Sequence, residues 1–153
     1  VVNIALKLLR QLTKHGVEPS AVRDYGMTNE DAEVIVVLSA LMHCVGMSVH
    51  RRGNEDWSLF LAEPKLRELL EGIYDEPDRT VVVSEVLQAI TSHRADGEPL
   101  SLEAGILRVA DEPHAVRANA LLAPLTSSRS GTDVRFTCSR MFGPGENVDV
   151  PGS

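Results

Sequence analysis

The chain has 153 residues with 22 acids against 15 bases, a formal net charge of −7, so nucleic-acid binding by bulk charge is excluded. Its length suits one core-bearing domain. Its 2 cysteines, Cys44 and Cys138, lie far apart without paired spacing, which excludes a disulfide framework and makes a reducing cytoplasm the expected compartment.

Taken in chain order, the pattern is helical. Val2, Ile4, Ala5, Leu8, Leu9 and Leu12 predict a first helix ending near His15, with Gly16 just beyond it. No capping residue precedes it, as if the chain opened within a helix, and no signal peptide is expected. A loop is predicted from Val17-Glu18-Pro19 to Tyr25-Gly26. Thr28 with Asp31 reads as an N-terminal cap for a helix through Val34, Ile35, Val37, Leu38, Leu41 and Met42. Ser39, His43, Gly46 and Ser48 interrupt the apolar run, so a buried core helix is expected rather than a membrane span.

The pattern resumes at Trp57, Leu59, Phe60 and Leu61, with Trp57 expected in the core. Pro64 is expected in the first turn of a following helix through Leu66, Leu69, Leu70 and Ile73. Asp75-Glu76-Pro77-Asp78 is a break, and Val81 to Ser92 forms another helix. After a turn at 95–99, Ser101 caps a last helix to Asp111, which Pro113 stops. The fold class is therefore all-α, a helical domain over 1–113. Over 114–153 an irregular segment rich in Ser, Thr, Gly, Pro and Arg follows, with a short strand at Thr132 to Phe136.

Chemistry gathers in Met42-His43-Cys44-Val45-Gly46-Met47-Ser48-Val49-His50-Arg51. On an unbroken helix His43 and His50 would lie roughly 10 Å apart along the axis. That is too far to share one ion when each metal bond spans about 2 Å. Either Gly46 bends the chain or the two imidazoles serve different ions. His93 and Asp111 end two other helices. Such ends meeting in space would offer imidazole and carboxylate, a ligand set that suits divalent manganese, iron, zinc or nickel. Singly, these residues have plainer roles: Cys44 as a small buried group, Arg51 and Arg52 as a solvated face.

The His43-Cys44-Val45-Gly46 stretch and Leu107-Arg108-Val109-Ala110-Asp111 resemble the motifs of archaeal-type HD-superfamily phosphohydrolases. In that family a helix ends in a His-Asp pair, and a later segment carries another aspartate. The resemblance covers roughly residues 1 to 111. It implies an HD-domain-like orthogonal helical bundle. It also implies a metal-dependent phosphohydrolase acting on a phosphoester or nucleotide through metal-activated water. His43 and Asp111 would be catalytic. His43, Cys44, His50, His93 and Asp111 would hold a divalent metal (manganese, iron, zinc, nickel or magnesium), and Arg51, Arg52 and Arg94 would receive substrate phosphate. The expected partner is a phosphorylated small molecule or nucleotide, with no membrane and a possible homo-oligomer. The chain departs from the family where Cys44 replaces the paired aspartate, where Asn54 stands in place of another histidine, and where Pro113 breaks the continuing helix. The family's earliest histidine is expected ahead of this stretch, where His15 is the only candidate and lies at the wrong end of its helix. The alternative implied by these departures is a catalytically inactive HD-like helical binding or regulatory domain.

Overall fold

The computed structural model describes residues 1–94 and 97–112, together with the backbone of 126–130 and 133–137. The chain divides into two compact units, Val1–Val116 and Arg117–Ser153.

The first unit is an all-α bundle. In chain order its helices are α1 (Val2–Lys14), α2 (Ser20–Tyr25), α3 (Asn29–Met42), α4 (Asn54–Leu70), α5 (Asp78–Ser92) and α6 (Leu102–Asp111), with a 3₁₀ turn, Val45–Ser48, between α3 and α4. α1 buries the stripe Ile4, Ala5, Leu9 and Leu12. Gly16 follows it at φ 84°, a left-handed conformation that a residue without Cβ adopts at no steric cost. Thr28 and Asp31 form the expected capping box, the Thr28 hydroxyl accepting from Asp31 N at 3.2 Å and Asp31 Oδ2 accepting from Thr28 N at 2.8 Å. Tyr74 O–H adds a bond of 2.6 Å to Asp31 Oδ1. Burial works against ionisation of this carboxyl, but the bonds from Tyr74 and Thr28 outweigh it and hold it below the usual range.

α3 packs on α1, α2, α4, α5 and α6. A helix with neighbours on most sides needs apolar residues around much of its circumference, which is why its sequence lacks a clean polar face. Its Ala32, Ile35 and Val36 join Leu9, Leu66, Val82, Val83, Val86 and Ile90 in the core.

Three expectations change. Ser20–Tyr25, read as loop, is a short helix entered from Pro19 and closed by Gly26 at φ 69°; six residues are too few to display a helical period. α4 runs unbroken through Pro64, so this proline does not open a new helix. The carbonyl it leaves without an N–H partner is that of Phe60, a residue on the exposed side of α4. Trp57 is 43% exposed and is not a core residue.

α2 and α6 hold each other through reciprocal bonds between their first turns. Ser20 Oγ accepts from Leu102 N at 2.9 Å, and Glu103 Oε1 accepts from Ala21 N at 3.1 Å. Glu103 is fully buried, and its Oε2 has no hydrogen-bond partner among the described residues. Burial pushes its carboxyl upward, the nearby amides oppose this in part, and the charge of Glu85 adds to the rise.

The described part of the second unit is an antiparallel hairpin of β1 (Thr126–Ser130) and β2 (Asp133–Thr137), with Ser130 opposite Asp133 and Thr126 opposite Thr137. β2 takes up most of the stretch expected as a strand. Cys138, His114 and the rest of the segment expected to be irregular lie outside the described residues.

Two outcomes follow from this packing. Leu66→Ala, at a side chain with no exposure, is expected to lower stability by about 2–5 kcal/mol in urea unfolding. Because the folded state favours protonated Glu103, the stability it contributes is complete below the ordinary glutamate range and is lost as pH rises through its raised value. Glu103→Gln is therefore expected to gain on the parent chain as pH rises, measured as the difference between their urea midpoints across a pH series; a constant difference would refute this.

Candidate functional site

The C-terminal ends of α3, α5 and α6 each carry a residue singled out above: His43, His93 and Asp111. Helix C-termini concentrate unpaired carbonyls and partial negative charge, an environment suited to a cation or a protonated imidazole.

The junction after α3 sets the position of His43. The chain turns sharply through Val45–Ser48 and passes against the first turn of α4. A Cβ at Gly46 would collide with the backbone oxygen of Asn54 and come within 2.5 Å of Ser58 N and 2.8 Å of Trp57 Cβ. Only glycine permits this approach. Ser58, fully buried on α4, completes the joint: its Oγ accepts from Gly46 N at 2.8 Å and donates to His43 O at 3.1 Å.

Both histidines are buried, at 8% exposure for His43 and 6% for His93. His43 Nδ1 donates to Ala40 O at 3.0 Å, and His93 Nδ1 donates to Ile90 O at 2.6 Å. A carbonyl only accepts, so each Nδ1 carries a proton, and an imidazole in that tautomer has its lone pair on Nε2. The rings meet edge to face, with centroids 5.2 Å apart and planes at 82°. His43 Nε2 lies 3.1 Å from Asp111 Oδ1 across 68 residues of sequence. With Nδ1 protonated, that contact joins two acceptors unless a proton or a cation lies between them.

The spacing fits two positions in the shell of one ion, because bonds of about 2.1 Å at roughly a right angle separate their ligand atoms by about 3 Å. A full set is a different matter. Among the described residues, no group of three or more His, Cys, Asp or Glu side chains is placed to hold an ion. Cys44 is half-buried, and burial together with the charges of Asp111 and Glu55 pushes its thiol up, only partly opposed by Arg94. Burial thus works against the thiolate, the form in which cysteine binds metal.

The other expected residues lie on the loop before α4 and just after α5. His50 is exposed, its Nδ1 accepting from Arg52 N at 3.0 Å. Arg51 and Arg52 are exposed on the loop before α4. His50 follows the Val45–Ser48 turn and lies on this loop. Arg94 is placed by Glu55, its Nη1 donating to Glu55 Oε1 at 2.6 Å. Asn54 Nδ2 donates to the same oxygen at 2.9 Å, while the buried Asn54 Oδ1 has no partner among the described residues. Burial opposes ionisation of Glu55, but the Arg94 bond, its own amide and the nearby His93 overcome this and hold the carboxyl low.

The sequence reading missed Glu55 and Ser58. Glu55 looks like any acid in a first helical turn, and Ser58 carries no local signal. Their roles depend on what α3 and α5 bring to α4.

The chain is 40% identical over 111 residues to an uncharacterised protein of Methanocaldococcus jannaschii, a match covering 72% of this chain and 43% of that protein. The chain thus spans less than half the length of this relative. No family model matches the chain, and no solved structure matches it.

The joint at Gly46 has a measurable consequence. Gly46→Ala is expected to cost about 1–3 kcal/mol through overpacking against backbone that has no room to yield. Ser58→Ala, which removes a buried hydroxyl serving two backbone groups, is expected to cost about 1–3 kcal/mol. Denaturant midpoints at matched slopes read both; unchanged stability in Gly46→Ala would show that the turn does not press on α4 as described.

Proposed function

We propose that this chain is a helical domain of the HD phosphohydrolase type, hydrolysing a phosphoester or nucleotide with a divalent ion held at His43 and Asp111. The observation that supports this reading is the 3.1 Å approach of His43 Nε2 to Asp111 Oδ1 from two distant helix ends, with Nδ1 of His43 committed to a backbone carbonyl. Metal-ligating histidines are oriented in this way, one nitrogen to the backbone and the other to the ion.

His43 and Asp111 would hold a divalent ion, which would supply an activated water and Lewis-acid polarisation of a phosphoryl oxygen. The chain's own residues do the rest. Ala40 O holds the His43 ring in one tautomer, and the Gly46–Ser58 joint holds the backbone that carries it. His93, similarly oriented by Ile90 O, closes one side of the pair. Arg94, held by Glu55 and with its charge felt at Cys44, is assigned the substrate phosphate.

A second reading has its own support. Cys44, standing where the family has its paired aspartate and with burial working against its thiolate, favours a catalytically inactive helical domain of the same type that binds a phosphorylated ligand without cleaving it.

Metal analysis of freshly purified protein, with hydrolysis of bis(4-nitrophenyl) phosphate, separates the two. The hydrolase reading expects near-stoichiometric divalent ion that is lost in His43→Ala, together with turnover that Cys44→Asp raises by about tenfold, a gain of about 1.4 kcal/mol. An ion-free protein that stays inactive in Cys44→Asp leaves only the binding domain.

A further inference from the structure

Where α2, α5 and α6 meet, at the end of α6 opposite Asp111, the bundle holds two carboxyl groups built alike. Glu103 is fully buried; its Oε1 accepts from Ala21 N, and its Oε2 has no partner among the described residues. Glu85 on α5 has Oε1 accepting from Tyr25 O–H at 3.1 Å, and its buried Oε2 likewise has no partner among the described residues. Ala21 and Tyr25 stand one turn apart on α2, and α5 packs on α6, so α2 spans the pair. The charge of Glu85 acts on Glu103, and both act on the Tyr25 phenol.

A carboxylate oxygen accepts and never donates. Two such oxygens out of reach of water therefore need a donor, and the polar side chains around them are committed elsewhere. Gln88, one turn along α5 from Glu85, sends its amide nitrogen to Ser92 Oγ and Glu98 O. On α2, Arg23 is exposed and pairs with Asp24 through two bonds of 2.8 Å. On α6, Arg108 donates to Gly97 O at 2.7 Å. α1 and α3 also pack on α6, but the side chains they bury are apolar except Ser39, whose hydroxyl donates to Ile35 O.

One proton answers both oxygens: carried on Glu103, it makes an O–H that Glu85 accepts. We infer that Glu103 and Glu85 share one proton, and that this proton clasps α2 to α5 and α6. Without it, two like charges are left in a site where burial already disfavours one. α2 is the element that gives way, because six residues are too few to hold a helix apart from the bundle. Burial and the charge of Glu85 hold the Glu103 carboxyl above the ordinary glutamate range. The clasp is therefore complete below that range and loosens as pH rises through the raised value.

Hydrogen exchange of the full chain across a pH series, normalised to intrinsic amide rates, reads the clasp. The reporters are the amides of Arg23, Gly26 and Met27, which bond to the carbonyls of Pro19, Val22 and Ala21. Their protection is expected to fall by about tenfold per pH unit between the ordinary glutamate range and the raised value, ahead of the amides of α4. This fall is expected to vanish in Glu103→Gln and to shrink in Glu85→Gln, whose amide donates to an ionised Glu103. A parent chain whose α2 protection ignores pH would overturn the clasp, and a Glu85→Gln variant that keeps the parent profile would overturn the sharing. Carbon-13 NMR of the glutamate carboxyls in the parent chain depends on no variant folding. Both groups are expected to report two common titration steps; independent single steps, or ionisation of both within the ordinary range, would refute the shared proton.

Discussion

The close passage of the chain over the start of α4, at Gly46, is the constraint on which the candidate site depends. Without room for a Cβ there, the turn after α3 has one way to lie. Ser58 then bonds both sides of it, Gly46 N and His43 O. A buried hydroxyl with both bonds made is worth keeping, because a lone backbone group in the same place would carry the full cost of desolvation. His43 is therefore presented from a backbone pinned on either side of its own residue, and the geometry of its imidazole follows from that.

From this fixed point the rest of the site is built by convergence. α5 and α6 bring His93 and Asp111 to the end of the bundle where α3 stops. Backbone carbonyls hold both rings by Nδ1, so their remaining nitrogens are the chemically available ones. The negative ends of the helices, the Asp111 carboxylate and the Glu55 carboxylate all favour positive charge, and Arg94 answers only part of it. The same electrostatics disfavour a thiolate at Cys44. Burial, and after it the nearby carboxylates that favour a cation, work against the Cys44 thiolate, and the two functional readings differ in how much weight that ligand carries.

Buried polar groups elsewhere serve a different purpose. Glu103 and Ser20 tie two first turns together over 82 residues of sequence. The tie places an acid inside a core that disfavours its charge, so helix pairing and protonation are linked. The outer side of α4 shows the converse arrangement: its polar side chains are on the surface, and a large apolar one is on the surface with them.

The helical class was legible in the sequence because period, caps and breakers are local. Thr28 and Asp31 announce α3, Ser101 announces α6, and both caps are made as expected. The candidate site was legible only in part. His43 and Asp111 do meet, as the two motifs implied, whereas His50 is exposed and Glu55 and Ser58 gave no sign. Trp57 and Pro64 were misread because the side a residue faces, and the tolerance of a helix for proline, depend on the neighbours across from it. By itself the sequence determined the helical class, the caps that open α3 and α6, and which residue types were available at the helix tips. Only the tertiary structure decided which tips meet, which acid holds Arg94 and which apolar side chain is left in water, because those outcomes are fixed by packing between segments far apart in the chain.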